Sequence, residues 1–217
     1  MIQGVIFDMD GLMFDTERIW ATLWKPALAT LGLTYPEGLD VAARGTSGDS
    51  MRKVLRRFFG EDCDPDAIIE ALHREAEKAF QAPPPKKPGL DELLCWLSQQ
   101  NIPMAVASSS RRSTILHHLD CWGLTHYFKA LVSGEDVTES KPNPAIFHLA
   151  AQKLGTPPRH TLVLEDSFNG VRAGAAGGFV TVMVPDLAQP DQEMRSLYTA
   201  RCDSLFEVLR MLEAEEL

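Results

Sequence analysis

The chain has 217 residues, of which 45% are hydrophobic and 24% charged, enough for one sizeable core or for a core with a smaller inserted domain. Acidic residues outnumber lysine and arginine by 30 to 21, and no basic stripe interleaved with aromatic residues occurs, so nucleic acid is not an expected partner. The sequence shows no basic leader and no apolar stretch long enough to cross a bilayer, which predicts a cytoplasmic protein with no membrane partner.

Short apolar or β-branched runs, typical of buried strands, alternate along the chain with stretches of helical periodicity. This alternation predicts an α/β fold with a parallel sheet and helices on both faces. The predicted strands are 4–7, 103–107, 130–133, 161–164 and 179–184. The predicted connecting helices are 89–100, 111–121, 143–154, 169–176 and 204–214.

A stretch of about 70 residues, 15–82, separates the first strand from the second and is far longer than a crossover needs. It has helical periodicity and no convincing strand, so we predict a separate helical cap domain over 15–82 and a catalytic core formed by 1–14 and 83–217. Three helices are expected in the cap: an apolar face from Ile19 to Leu31, a segment from Asp49 or Ser50 to Phe59, and a third from Asp64 to Phe80.

Two aspartates, Asp8 and Asp10, follow the first strand, and Gly11 comes directly after them. Residues two apart in an extended segment start on the same side, and the carboxyl edge of an open α/β sheet is where ligands bind. The pair therefore predicts a reaction centre in which one carboxylate attacks and the other moves protons. For Asp10 taken alone, an N-cap or Asx turn at a strand end is the simpler interpretation.

A second acidic pair, Glu165 and Asp166, ends the strand at 161–164. Acids at two strand ends can share one hard cation, and Mg²⁺ prefers oxygen ligands, so Asp8, Asp166 and a backbone carbonyl form a fitting protein contribution. Read alone, the Glu165–Asp166–Ser167 segment is typical of a helix N-cap. Because acidic residues follow two different strands of the predicted sheet, the metal site is the favoured interpretation.

Two further strand ends carry groups that suit an anion. The strand before Ser108 runs into three successive hydroxyls, and Ser108 and Ser109 with the amides of the following turn would form an anion cradle. Lys141 precedes a Pro-x-Pro turn, whose restricted backbone would hold the lysine in a fixed position. The alternatives are an ordinary helix cap for the serines and an exposed loop lysine for Lys141.

A phosphate dianion beside one carboxylate, at about 4 Å and an effective dielectric near 20, is repelled by several kcal/mol. A cation and Lys141 would have to outweigh that repulsion. Phosphoryl transfer depends on this kind of positioning and charge neutralisation, so the four strand ends together predict a phosphoryl-transfer site.

These residues resemble the motifs of the haloacid dehalogenase superfamily: VIFDMDG, then Ser108, then Lys141, then Glu165–Asp166, with FDxDGxxxDTE present from Phe7 to Glu17. The resemblance spans the chain and implies a doubly wound, Rossmann-like core with a helical cap inserted after the first strand.

By this resemblance Asp8 is the nucleophile that forms an aspartyl-phosphate, and Asp10 is the general acid and then the general base. Asp8, the Asp10 carbonyl and Asp166 would hold Mg²⁺, with Glu165 adjacent to the metal or in its second shell. Ser108, Ser109 and Lys141 would bind the phosphoryl oxygens. The presence of Asp10 indicates phosphate esters, because the dehalogenases of the superfamily lack this acid.

The expected function is a Mg²⁺-dependent, monomeric phosphatase acting on a small phosphorylated metabolite, with substrate choice in the cap at Thr16, Trp20, Arg44 and Gly45. The first alternative is a β-phosphoglucomutase-like phosphomutase, which is disfavoured because its pattern has histidine at the place of Trp20 and arginine at the place of Gly48. The second is a phospho-acceptor switch, whose domains have no long insertion after the first strand. For Trp20, membership of the apolar stripe of the cap helix is the simpler interpretation.

Overall fold

A computed structural model of the chain describes residues 1–44, 46 and 48–217. Its strands are β1 Gly4–Phe7, β2 Met104–Ala107, β3 Phe128–Val132, β4 Thr161–Glu165, β5 Val180–Met183 and β6 Ala200–Arg201. They form one sheet in the order β3, β2, β1, β4, β5, β6, and every neighbouring pair is parallel. The predicted α/β class with a parallel sheet is confirmed.

The helices fall into a cap group and a core group. The cap helices are α1 Glu17–Ala29, α2 Leu39–Ala43, α3 Gly48–Phe59 and α4 Pro65–Ala79. The core helices are α5 Leu90–Gln99, α6 Arg112–Cys121, α7 Ala145–Leu154, α8 Phe168–Ala176, α9 Gln192–Leu197 and α10 Leu205–Glu213. Among the described residues, no helix combines the length and the apolar character needed to cross a membrane.

Both faces of the sheet are covered, so β1, β2 and β4 are buried along their whole length. Successive residues of β1 point to opposite faces. Val5 and Phe7 belong to a hydrophobic cluster with Leu93 of α5, whereas Ile6 belongs to a second cluster with Phe147 of α7. The end of β1 is thereby fixed at the middle of the sheet.

The cap helices have a hydrophobic core of their own, built around residues such as Leu28, Leu39, Leu55 and Leu72. Two connections that run side by side join them to the sheet: the Asp15 amide donates to the Pro85 carbonyl and the Lys87 amide donates to the Met13 carbonyl, both at 2.8 Å. The boundaries expected after residues 14 and 82 remain predictions.

Among the α-helices and strands of the described residues, α2, α9 and the two-residue strand β6 were not predicted. Each is too short to show a period in the sequence. The third strand begins at Phe128, earlier than expected, because β3 lies at the edge of the sheet and is only partly buried, so its first residues do not form an apolar run.

Candidate active site

The end of β1 places Asp8 beside β4, and the Asp8 amide donates to the Leu164 carbonyl at 3.0 Å. Gly11 then turns the chain with a φ of 81°. A Cβ at Gly11 would lie 2.3 Å from Asp166 Oδ2. Glycine is therefore required here both for the left-handed backbone and for the close approach of the Asp166 carboxylate.

Lys141 is buried and bridges two acidic side chains. Its Nζ donates to Asp8 Oδ1 at 2.5 Å, to Glu165 Oε1 at 2.6 Å and to the Ala107 carbonyl at 3.2 Å. Burial alone would lower the pKa of Lys141, but the charges of Asp8 and Glu165 outweigh burial and raise it above its usual range. Lys141 is thus a permanent positive charge at the centre of the sheet edge.

Glu165 is held by the beginning of α8. Its Oε2 accepts hydrogen bonds from the amide and the hydroxyl of Ser167, each at 2.9 Å. A Cβ at Gly170 would lie 1.8 Å from the Glu165 carboxyl carbon, so only glycine leaves room for this carboxylate. With both oxygens engaged, Glu165 orients Lys141.

Asp8, Glu165 and Asp166 form a buried acidic cluster in which one oxygen from each lies within 4.8 Å of the others. Burial raises the pKa of Asp166, and the neighbouring charges of Glu165 and Asp8 raise it further. Burial also raises the pKa of Asp8, although Lys141 opposes the shift. Three buried carboxylates against one ammonium leave an excess of negative charge, and this all-oxygen set fits a hard divalent cation such as Mg²⁺.

The Asp10 side chain is held by a different set of groups. Its Oδ2 accepts from the Ser110 hydroxyl at 2.7 Å and from the Ser108 hydroxyl at 3.3 Å, and its Oδ1 accepts from the Trp20 indole Nε1 at 3.2 Å. Ser110 is a site residue that the sequence analysis missed, although it is the last hydroxyl of the three-serine run. Asp10 therefore contacts both the core and the cap.

The turn after β2 carries the serine hydroxyls. The Ser110 amide donates to Ser108 Oγ at 3.0 Å, and the Ser108 amide donates to the Val132 carbonyl at 3.1 Å. A Cβ at Gly134 would lie 2.5 Å from the Ser109 carbonyl oxygen, so the loop after β3 packs directly against this turn. Ser108 and Ser109 both face the cavity described next.

A cavity of about 480 Å³ lies between the cap and the carboxyl edge of the sheet. Six of the predicted site residues from the core line it: Asp8, Asp10, Ser108, Ser109, Lys141 and Asp166. From the cap, Trp20 and Arg44 also line it. Thr16 is buried at the start of α1 and is not among the lining residues described, while Gly45 lies outside the described residues.

Glu17 is a second residue that the sequence analysis did not single out, although it closes the FDxDGxxxDTE motif. It lines the cavity and accepts a hydrogen bond from Arg44 Nε at 3.2 Å, with both side chains largely buried. Burial raises the pKa of Glu17 to about 7, assisted by the charge of Asp10 and opposed by Arg44. Trp20, one helical turn further, packs its ring against Phe80 with centroids 5.4 Å apart.

Comparison with known proteins gives a consistent result. Residues 5–184 match the model of the family described as haloacid dehalogenase-like hydrolase. The chain is 32% identical over 184 residues to a fructose-1-phosphate phosphatase of Escherichia coli, covering 83% of this chain and 95% of that protein. It is 28% identical over 177 residues to a phosphorylated carbohydrates phosphatase of Thermotoga maritima, covering 82% of each.

Among solved structures, a CbbY variant from Rhodobacter sphaeroides in complex with xylulose-(1,5)bisphosphate superposes with a TM-score of 0.81 at 25% identity, covering 95% of this chain and 96% of that one.

Proposed function

Because this chain belongs to the haloacid dehalogenase-like hydrolases, we propose that it is a Mg²⁺-dependent phosphomonoester hydrolase that works through an aspartyl-phosphate. The expected substrate is a small phosphorylated metabolite, a sugar phosphate or a nucleoside monophosphate. The observation that carries the proposal is the contact of Lys141 with Asp8, inside an acidic cluster at the floor of a cavity that Asp10 also lines. The names of the two relatives, both sugar-phosphate phosphatases, support it.

In the first step a carboxylate oxygen of Asp8 attacks the phosphorus atom and the bond from phosphorus to the ester oxygen breaks. Asp10 donates its proton to that departing oxygen, which leaves as an alcohol. Lys141 offsets the charge of the phosphoryl oxygens, while the hydroxyl of Ser108 and the polar groups of the following turn bind them.

In the second step Asp10 removes a proton from a water molecule, and the water oxygen attacks the phosphorus of the aspartyl-phosphate. The bond from phosphorus to the Asp8 oxygen breaks, which regenerates the carboxylate and releases inorganic phosphate. Because Trp20 of the cap contacts Asp10, the group that moves the proton is oriented from both sides of the cavity.

Asp8, Asp166 and the backbone carbonyl of Asp10 would hold the Mg²⁺, with Glu165 beside it. When bound, the ion would neutralise charge on the carboxylates and on the transferring phosphoryl group. The hydrogen bonds of Glu165 to Lys141 and Ser167 favour a role in orienting Lys141 over direct coordination.

A burst experiment tests the covalent step. An Asp10→Asn variant cannot supply the base, but p-nitrophenolate is a leaving group that needs no proton. We therefore expect this variant with Mg²⁺ and p-nitrophenyl phosphate to release one equivalent of p-nitrophenolate rapidly and then to turn over slowly. An Asp8→Asn variant should show neither phase, and a wild-type protein that hydrolyses no phosphate ester would contradict the proposal.

The two alternatives differ in their products. A phosphomutase would isomerise β-glucose 1-phosphate, whereas the proposed hydrolase would release inorganic phosphate from it or leave it unchanged. A phospho-acceptor switch would accumulate a stable phosphoprotein without turnover. The helical cap over the site favours an enzyme, because a lid that selects a substrate and excludes water serves catalysis.

A further inference from the structure

His118, in the second half of α6, is a polar side chain enclosed by aromatic rings. It is fully buried, and its ring centroid lies 5.7 Å from that of Phe14, 4.8 Å from that of Phe80 and 5.9 Å from that of His117. The edge or face of a phenylalanine ring offers an imidazole neither a lone pair nor an N–H group. Within the part of the chain that the structure describes, neither ring nitrogen of His118 has a hydrogen-bond partner.

This arrangement is unfavourable. Burial lowers the pKa of His118, against the opposing charge of Asp10, so the ring is neutral near neutral pH and has one N–H donor and one acceptor nitrogen. A buried donor or acceptor without a partner forfeits the hydrogen bond that it makes to water in the unfolded chain. The penalty for one such group corresponds to about a tenfold change in an equilibrium constant. His118 thus destabilises the packing arrangement in which it is found.

His118 lies where the cap and the core meet. Phe14 belongs to the hydrophobic cluster of the core and precedes the first connection, whereas Phe80 belongs to the cluster of the cap and follows α4. The imidazole is in edge-to-face contact with both rings, at interplanar angles of 74° and 66°. A rotation of the cap relative to the sheet changes the position of Phe80 relative to Phe14. The surroundings of His118 therefore change when the cap moves.

The helix that carries His118 also fixes the second connection. His117 Nε2 donates to the Phe80 carbonyl at 2.7 Å, and the Trp122 indole donates to the Pro84 carbonyl at 2.9 Å. These hydrogen bonds hold the backbone that follows α4 on the core. The cap can therefore swing about this point, and the ring of Phe80 turns with α4.

The cap must move for the cavity to be used, because the nucleophile of the proposed reaction is buried at the floor of the cavity. We call the observed arrangement the closed position, in which Trp20 of the cap donates to Asp10 at 3.2 Å. In this position Glu70 of the cap also pairs with Arg111 of the core at 2.9 Å. That ion pair is exposed and contributes little free energy. With contacts of this strength favouring closure, one opposing contribution shifts the balance.

We propose that His118 destabilises the closed position of the cap and so keeps closure reversible. In the closed position the ring nitrogens lie among apolar rings. When the cap swings away and Phe80 turns away from Phe14, water reaches the imidazole and satisfies both nitrogens. The equilibrium between the open and closed positions is thereby shifted towards opening by about tenfold, relative to a protein with an apolar side chain at this place. This role of His118 does not depend on which reaction the site catalyses.

The variant His118→Phe tests this role, because phenylalanine keeps a ring that can pack edge to face and removes both nitrogens. Two quantities are measured without substrate: the Tm, and the rate at which the Trp20 indole N–H exchanges with solvent, followed by NMR. The hydrogen bond of this N–H to Asp10 joins the cap to the core and must break before exchange occurs. We expect the Tm to rise by about 3–6 °C and the Trp20 exchange rate to fall by about tenfold.

A second variant and a control accompany the first. His118→Leu also removes both nitrogens, and leucine is closer in volume to histidine than phenylalanine is, so it covers the case in which phenylalanine does not fit. The matched control is His148→Phe on α7. His148 packs against Phe179 with centroids 5.3 Å apart but is exposed, so its ring nitrogens can be hydrated in the folded protein. The control should leave the Trp20 exchange rate unchanged and the Tm within about 2 °C.

Slower Trp20 exchange in at least one of the two His118 variants, with an unchanged rate in the control, is the expected result. A raised Tm with unchanged Trp20 exchange in both variants would overturn the proposal, because His118 would then stay enclosed when the cap opens. A lowered Tm in both variants would also overturn it, because the ring nitrogens would then be satisfied in the closed position. Neither measurement uses phosphatase activity, so each of these failures would leave the phosphatase proposal standing.

Discussion

The hydrogen bond from Trp20 to Asp10 leads to a specific kinetic prediction for the variant Trp20→Phe. Phenylalanine keeps a ring that can pack against Phe80 and His73, as Trp20 does with centroid distances of 5.4 and 6.5 Å, but it has no N–H to donate to Asp10. We expect this substitution to impair proton donation by Asp10 while leaving the nucleophile Asp8 in place.

The size of the effect follows from the geometry. A hydrogen bond to a charged acceptor contributes about 1.5–3 kcal/mol. The 3.2 Å separation of Trp20 Nε1 and Asp10 Oδ1 is at the long end for an N–H···O bond, so the lower figure applies. About 1.5 kcal/mol corresponds to roughly a tenfold loss in kcat/KM for a sugar phosphate, whose alkoxide leaving group needs the proton. For p-nitrophenyl phosphate the loss should stay below about twofold.

The assay is kcat/KM for both substrates, because this quantity reports the steps up to formation of the aspartyl-phosphate. The matched control is Trp24→Phe on the same helix: Trp24 is largely buried in the hydrophobic cluster of the cap and also lines the cavity, but the indole hydrogen bond described at Asp10 comes from Trp20. Equal losses on the two substrates for Trp20→Phe, or the same selective loss for Trp24→Phe, would refute the proposed role of Trp20.

Three predictions concern stability in the presence of EDTA. Replacing Lys141 by Met should lower the free energy of unfolding by about 3–5 kcal/mol in chemical denaturation, because Asp8 and Glu165 lose the buried ammonium group that pairs with them. A decrease of less than about 1 kcal/mol would contradict the importance of these ion pairs for stability. Gly170→Ala in α8 should lower the Tm, because the added Cβ would lie 1.8 Å from the Glu165 carboxyl carbon. In an unobstructed helix the same change usually stabilises by up to about 1 kcal/mol. An unchanged Tm would show that the Glu165 side chain can move aside. Since the pKa of Glu17 is raised from 4.5 to about 7, the folded protein binds this proton more tightly than the unfolded chain, and stability falls as pH rises. Between pH 5.5 and 8 the ionisation of Glu17 should lower the free energy of unfolding by about 2 kcal/mol. In urea denaturation, the free energy of unfolding of the Glu17→Gln variant should therefore fall correspondingly less than that of the wild type over this range. Equal falls in the two proteins would be evidence against the raised pKa of Glu17.

The sequence sufficed to predict how the strand-end residues group. Asp8 directly follows an apolar run, Asp166 follows another after Glu165, and parallel strands end at the same edge of a sheet. In the structure β1 and β4 are neighbours, with Phe7 opposite Leu164, which brings the two carboxylates into one cluster. Their shared edge follows from the parallel direction of the strands, which the alternation of strands and helices predicts. The structure adds the strand order, in which β4 lies next to β1.

The orientation of the cap residues could not be predicted in the same way. Thr16 was expected at the substrate and Glu17 was not considered there, yet Glu17 lines the cavity and Thr16 is buried at the start of α1. Neighbouring residues of a helix differ by about 100° in direction, so a small rotation of the helix about its axis decides which of them faces the cavity. That rotation is set by the packing of α1 against α4.

Trp20 illustrates the same limit. Its place in the apolar stripe of α1 is readable from periodicity, and its ring does pack against Phe80. The indole N–H reaches Asp10 only because the cap lies over the end of β1. The indole of Trp20 can pack its apolar ring against Phe80 and donate its N–H to Asp10 at the same time. The periodicity of the sequence indicates only the apolar packing.

The sequence by itself determined the parallel sheet, the inserted helical stretch and the acids at the ends of β1 and β4, because burial and strand direction leave a local pattern in the chain. Only the tertiary structure decided that Arg44 is paired with Glu17, and that Ser110 and Trp20 hold Asp10. These contacts join residues 10 to 100 positions apart. Pairing over such separations is fixed by how whole elements pack against each other, which no local periodicity encodes.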